Sequence, residues 1–242
     1  MTATSTRDGS AQQPVIRGRG QGEMFEAVTV LERPPLHPAT TAVVVIDMVN
    51  WQVPRTPSVD GDVDFTYFVR KLADETIPNL RRLIAACRSV GARIVYLRVG
   101  CYADDYSDAL PAFRPVFRAA GARADSLSCA VIDELRPQDG DISLVKTGSG
   151  GFTTSGLDGH LRNLGIEHVL YTGVITNGCV LLTLAAGFDL GYYGYLVSDS
   201  TATYSEGLQQ SAESLVSGWL AELVTTDSVI ETLRTAARRA AS

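Results

Sequence analysis

The sequence has no apolar run near the roughly 20 residues that cross a bilayer, so no membrane partner is expected. Its first stretch, MTATSTRDGSAQQPVIRGRG, lacks the apolar core of a secretory signal, so cytoplasmic residence is expected. The four cysteines (Cys87, Cys101, Cys129 and Cys179) are widely spaced and form no CxxC pair, which argues against a disulfide frame. The three histidines (His37, His160 and His168) stand too far apart in sequence to pair as metal ligands. Neither a metal nor another cofactor is expected. Basic residues are outnumbered, 21 Lys and Arg against 27 Asp and Glu, and the net charge of −6 argues against a nucleic-acid partner.

What is present is an ordinary supply of core material: 45% of the 242 residues are hydrophobic. Residues 1–22 are polar and read as a mobile tail, and residues 23–242 read as a single domain entered through an irregular lead-in over 23–40. From Thr41 onward, β-rich apolar runs alternate with helical patterns. TAVVVI at 41–46, ARIVYLRV at 92–99, residues 142–145, 168–172, 193–197 and a short run at 222–225 read as strands. Helical spacing covers 65–90, where Pro78 is expected to break or kink the helix, then 157–164, 178–190, 205–220 and 228–239. Residues 103–130 read as an irregular excursion at the mouth of a pocket. Ser198-Asp199-Ser200-Thr201 reads as a helix-start cluster. Strands alternating with helices predict an α/β fold with a parallel sheet covered on both faces.

YTGVITNGCVLL at 171–182 reads as strand, turn and helix, with Cys179 in the first helical turn. Unpaired N–H groups and the helix dipole there favour a thiolate. The N–H groups of Ile175 and Cys179 are candidates for an oxyanion hole. Asp47 and Lys146 also follow predicted strands, and parallel strands bring such ends to one edge of a sheet. Asp47 can take the thiol proton, and Lys146 can favour ionised forms by its charge.

VVVIDMVN at 43–50, VKTGSGGF at 145–152 and TGVITNGCVLLT at 172–183 resemble the isochorismatase-like cysteine hydrolases, and the resemblance spans about residues 41–226. It implies a three-layer α/β/α sandwich with a six-stranded parallel sheet of order 3-2-1-4-5-6, in homodimers or homotetramers. It also implies an Asp47, Lys146 and Cys179 catalytic triad and a cis peptide at Val174–Ile175. The implied activity is metal-independent cleavage of a C–N bond in a small amide, ureido or carbamoyl substrate, through a covalent Cys179 acyl intermediate. A vinyl-ether hydrolase using Asp47 as general acid, or a silent binding subunit, is the alternative. Residues 47–65 hold no histidine, unlike the nicotinamidase branch, and GDISLVK with GFDLGYYGYLVSD looks most like ureidoacrylate amidohydrolases. That branch carries Arg and Tyr where Gly148 and Ser149 stand here. Trp51, Phe152 and Asn177 are expected in the pocket wall, with Arg98 a candidate substitute for the missing cation.

Overall fold

All six residues of β1 (Thr41–Ile46) are buried. A β-branched run without polar alternation suits a strand covered on both faces. Val43 and Val45 enter one apolar cluster, while Ala42, Val44 and Ile46 enter another on the opposite face. The chain then forms β2 (Arg93–Val99), β3 (Ile142–Lys146), β4 (His168–Val174), β5 (Tyr193–Ala202) and β6 (Glu222–Val224). These six align in the order 3-2-1-4-5-6, each neighbouring pair parallel. The order reverses between β1 and β4, so the crevice at their carboxyl ends is where such sheets place ligands.

The structure is a computed structural model that describes residues 33–60 and 63–240. The expected tail over residues 1–22 lies outside the described residues, as does the lead-in up to residue 32. A small hairpin pairs Val59–Asp60 with Val63–Asp64 apart from the main sheet. The helices are α1 (Thr66–Lys71), α2 (Ile77–Ser89), α3 (Arg114–Ala120), α4 (Gly151–Thr154), α5 (Leu157–Asn163), α6 (Leu181–Asp189), α7 (Glu206–Val216) and α8 (Thr226–Ala240). Leu80, Leu83 and Ile84 of α2 join Val229, Ile230 and Leu233 of α8 over one face of the sheet. Leu161 of α5, Leu184 of α6 and Val216 of α7 cover the other. The result is a three-layer α/β/α sandwich.

Two elements depart from the sequence reading, and a third departs in part. Of the break or kink expected at Pro78, the helix shows a distortion and no end. Pro78 has no N–H for the Asp74 carbonyl, and its ring crowds that oxygen. The helix widens instead: Leu72–Thr76 is a π turn in which the Ile77 N–H bonds the Leu72 carbonyl. The excursion at 103–130 is not wholly irregular, since α3 lies within it, begun at Pro115 and stopped by Gly121 at φ 61. Ser198–Thr201 starts no helix and continues β5 to Ala202.

The caps in that segment serve a helix remote in sequence. Asp199 Oδ1 accepts from the Thr226 N–H at 2.8 Å and from Thr226 Oγ1 at 2.9 Å, at the start of α8. Ser200 Oγ meets Thr226 Oγ1 at 2.8 Å. Asp199→Ala should therefore lower unfolding free energy by about 1–2 kcal/mol, the usual loss for a removed N-cap. Urea denaturation measures it; an unchanged midpoint would show that the contact contributes nothing.

Candidate active site

Asp47 follows β1 in a left-handed conformation, φ 55, unusual for a residue other than glycine. Its N–H bonds the Leu97 carbonyl at 2.8 Å, so the turn out of the strand is held by β2. Beside it, β4 requires Gly173. A Cβ there would lie 2.0 Å from the Ile46 carbonyl oxygen, and its φ is 95. The following Val174–Ile175 peptide is cis.

The chain then enters a π turn, Thr176–Val180, rather than the regular helix expected from Gly178; Gly178 itself takes φ −123 and ψ −107. Side chains tie this turn down. Thr176 Oγ1 donates to Gln209 Oε1 at 2.7 Å, and Asn177 Oδ1 accepts from Thr203 Oγ1 at 2.6 Å. Thr183 Oγ1 donates to the Cys179 carbonyl at 2.6 Å and accepts from the Gly151 N–H at 2.9 Å. Cys179 is thereby held at the carboxyl edge of the sheet, only 6% exposed. Among the described residues, no acceptor meets the Ile175 N–H.

Lys146 ends β3 and is fully buried, as is Asp47. Its Nζ lies 2.8 Å from Asp47 Oδ2, donates to the Gly148 carbonyl at 2.8 Å and reaches Cys179 Sγ at 3.4 Å. The Asp47 contact is an ion pair: neither carboxylate oxygen has a hydrogen bond of normal geometry. The three strand-end residues thus meet through one ammonium group.

Their charges are mutually adjusted. Burial pushes the Asp47 carboxyl above its ordinary value, against the pull of Lys146. Burial acts to lower Lys146, but attraction to Asp47 and Cys179 outweighs it and keeps the ammonium protonated. Burial, then the Asp47 charge, pushes the Cys179 thiol up to about 11, with Lys146 and Ser149 acting the other way. Burial and the Asp47 charge thus act against the lowering expected at the start of a helix. Moving the thiol proton to Asp47 leaves the site's total charge unchanged, whereas losing it to solvent would leave two buried anions facing one cation.

The isochorismatase domain pattern matches residues 41–228. The chain belongs to the isochorismatase family. It is 32% identical to the ureidoacrylate amidohydrolase RutB of Serratia proteamaculans, over 91% of this chain and 94% of that protein. It is 35% identical to RutB of Caulobacter segnis, over 69% of this chain and 74% of that protein. Among solved structures, N-carbamoylsarcosine amidase from Thermoplasma acidophilum aligns with a TM-score of 0.62 at 28% identity, covering 78% of this chain and 97% of that one. A cysteine hydrolase from Pseudomonas syringae pv. phaseolicola shares the fold, with a TM-score of 0.72 at 24% identity over 84% and 97% of the two chains.

The other expected site residues of this isochorismatase-family chain are placed less directly. Trp51 donates its indole N–H to the Val99 carbonyl at 3.0 Å and packs edge-on against Phe117. Arg98 is committed to structure: its guanidinium donates to Ser143 Oγ at 2.9 Å and to the Ala124 and Cys129 carbonyls at 2.9 and 3.3 Å. It staples the 124–129 loop to the sheet. Phe152 stacks on Tyr192, with ring centroids 5.3 Å apart. Asn177 adjoins Cys179 through the π turn, with its amide oxygen held by Thr203.

Two residues near the sulfur escaped the sequence reading. Ser149 Oγ lies 3.4 Å from Cys179 Sγ. The sequence showed it only as the loss of an aromatic; its place three residues beyond Lys146, in a tip flanked by glycines, was the available signal. Burial raises the Tyr204 phenol, and the Cys179 charge adds to it. Tyr204 packs edge-on against Phe65 and Phe68. It lies outside the three motifs and carried no signal. Among the described residues, no group of three or more His, Cys, Asp or Glu is arranged to hold a metal, and no helix is long and apolar enough to cross a membrane.

Proposed function

We propose that this isochorismatase-family hydrolase is a cysteine amidohydrolase that opens a C–N bond of a small amide, ureido or carbamoyl substrate. The observation that carries the reading is the buried contact of Lys146 Nζ with both Asp47 Oδ2 and Cys179 Sγ. The names of the ureidoacrylate amidohydrolase relatives and of the N-carbamoylsarcosine amidase neighbour support it.

Cys179 Sγ attacks the carbonyl carbon while Asp47 accepts the thiol proton. Lys146 stays charged and balances the anion as it moves from carboxylate to sulfur. The N–H groups of Ile175 and Cys179 receive the developing oxyanion. Asp47 returns its proton to the departing nitrogen, the C–N bond breaks, and an acyl or carbamoyl thioester remains. Water then adds to that carbon with Asp47 taking its proton. The C–S bond breaks, and the sulfur recovers the proton as the acid product leaves. Arg98 Nε and Nη1 are engaged by Ser143 Oγ and by the Ala124 and Cys129 carbonyls, which supports substrates without a carboxylate beside the cleaved bond.

The pH profile follows from the single proton that Asp47 and Cys179 share. Below the raised Asp47 value the carboxyl is filled from solvent and cannot take the thiol proton. Above about 11 the shared proton is lost, and none remains for the leaving nitrogen. Activity should rise with pH through an acid limb and fall through an alkaline limb. The test is ammonia or amine release from biuret, ureido acids, carbamoyl amino acids and simple carboxamides across that range. Turnover of none of them, or turnover that climbs without limit with thiolate formation, would overturn the reading.

A further inference from the structure

We propose that Ser149 is a positioning residue for the nucleophile, its hydroxyl donating to Cys179 Sγ as negative charge develops there. Ser149 Oγ lies 3.4 Å from Sγ, the same distance as Lys146 Nζ, so two side chains converge on one sulfur. Lys146 Nζ is shared with the Gly148 carbonyl and Asp47. Ser149 is the contact not otherwise engaged: no further hydrogen bond of its hydroxyl occurs among the described residues.

The direction of the bond follows from the chemistry. A neutral thiol and a hydroxyl can each donate to the other, but a thiolate only accepts. When the proton passes to Asp47, the Ser149 hydroxyl must turn to donate, and the bond becomes charge-assisted. It is then stronger with the thiolate than with the thiol, and so favours the attacking form. Asp47 and the half-buried Tyr204 are the other titratable groups acting on the sulfur besides Lys146, and the charge of Asp47 disfavours the thiolate. The local backbone is built for the contact. Lys146 holds the Gly148 carbonyl, and the Gly150 carbonyl accepts from Thr153 Oγ1 and Thr154 Oγ1, which fixes the tip on both sides of Ser149. A serine in this place supplies a short donor where the ureidoacrylate branch it resembles carries a phenol.

This inference rests on the cysteine reading of the site but is measured at the sulfur itself. Iodoacetamide alkylation of Cys179 is followed by peptide mapping, at one mildly alkaline pH, in wild type, Ser149→Ala and Ser149→Thr. Ser149→Ala should alkylate roughly tenfold more slowly, and Ser149→Thr, which keeps a hydroxyl, should stay within about threefold of wild type. Melting temperatures of all three should agree within about 2 °C, which separates loss of the donor from loss of the fold. Equal alkylation of Ser149→Ala and wild type overturns the inference, and so does a wild-type Cys179 that resists alkylation. Turnover by Cys179→Ala is the separate check on the parent reading: an active Cys179→Ala sinks the amidohydrolase mechanism while the alkylation result still decides whether Ser149 acts on the sulfur.

Discussion

Cys179→Ala should lower kcat/KM by roughly a thousandfold or more, and Asp47→Asn by a comparable factor. The alanine removes the sulfur to which the proposed mechanism assigns the attack. The asparagine keeps the shape of Asp47 but can neither take the thiol proton nor return it to the leaving nitrogen. Because the two act in one step, the double variant should be scarcely worse than either single one. Steady-state kinetics on whichever amide is turned over decides the matter. A Cys179→Ala enzyme within tenfold of wild type, beside a dead Asp47→Asn, would replace the nucleophile with general-acid chemistry of the vinyl-ether kind. Cys179→Ala leaves the Asp47–Lys146 ion pair intact, so its loss of activity should come without loss of fold.

Lys146→Met should destabilise the protein by about 3–5 kcal/mol at neutral pH. Both partners of the ion pair are fully buried, and removing the cation takes away the largest effect that opposes desolvation of the Asp47 carboxylate. The deficit should depend on pH in a definite sense. Without Lys146 the folded-state pKa of Asp47 rises further above its ordinary value of 3.8, so the folded variant holds a proton that the unfolded chain releases. Such a group stabilises fully below the unfolded value and loses that contribution as pH rises through the folded one. The gap between variant and wild type should therefore be widest near neutrality and shrink toward pH 3.8. Urea denaturation across that range measures it. A pH-independent gap would mean that lost packing, not the stranded carboxylate, carries the cost. Asp47→Asn combined with Lys146→Met should recover part of the loss.

The frame was legible because it is written in local patterns. β1 and β4 are apolar runs with no polar residue facing water, which only a doubly covered sheet accommodates. The π turn at Leu72–Thr76 was half legible: Pro78 announced a disturbance, but packing of Leu72 and Ile77 into the core kept the helix continuous through it. Ser198–Thr201 misled because cap residues look alike whether they serve the next helix or one further on; the partner of Asp199 is Thr226, and no local pattern links the two. Arg98 illustrates a related point. A cation at a strand end looks free in sequence, and only the 124–129 loop folding over it shows which carbonyls take its protons.

By itself, the sequence determined the alternation of buried strands and helices, the parallel sheet that follows, and the three strand-end residues Asp47, Lys146 and Cys179, because strand burial and chain order depend on side-chain character alone. Only the tertiary structure decided how those residues act on one another. The 2.8 Å ion pair, the upward push on the Cys179 thiol and the Ser149 contact arise from burial and from distances between segments far apart in the chain. Electrostatic energy depends on separation and on the surrounding dielectric, and neither exists until the chain has folded.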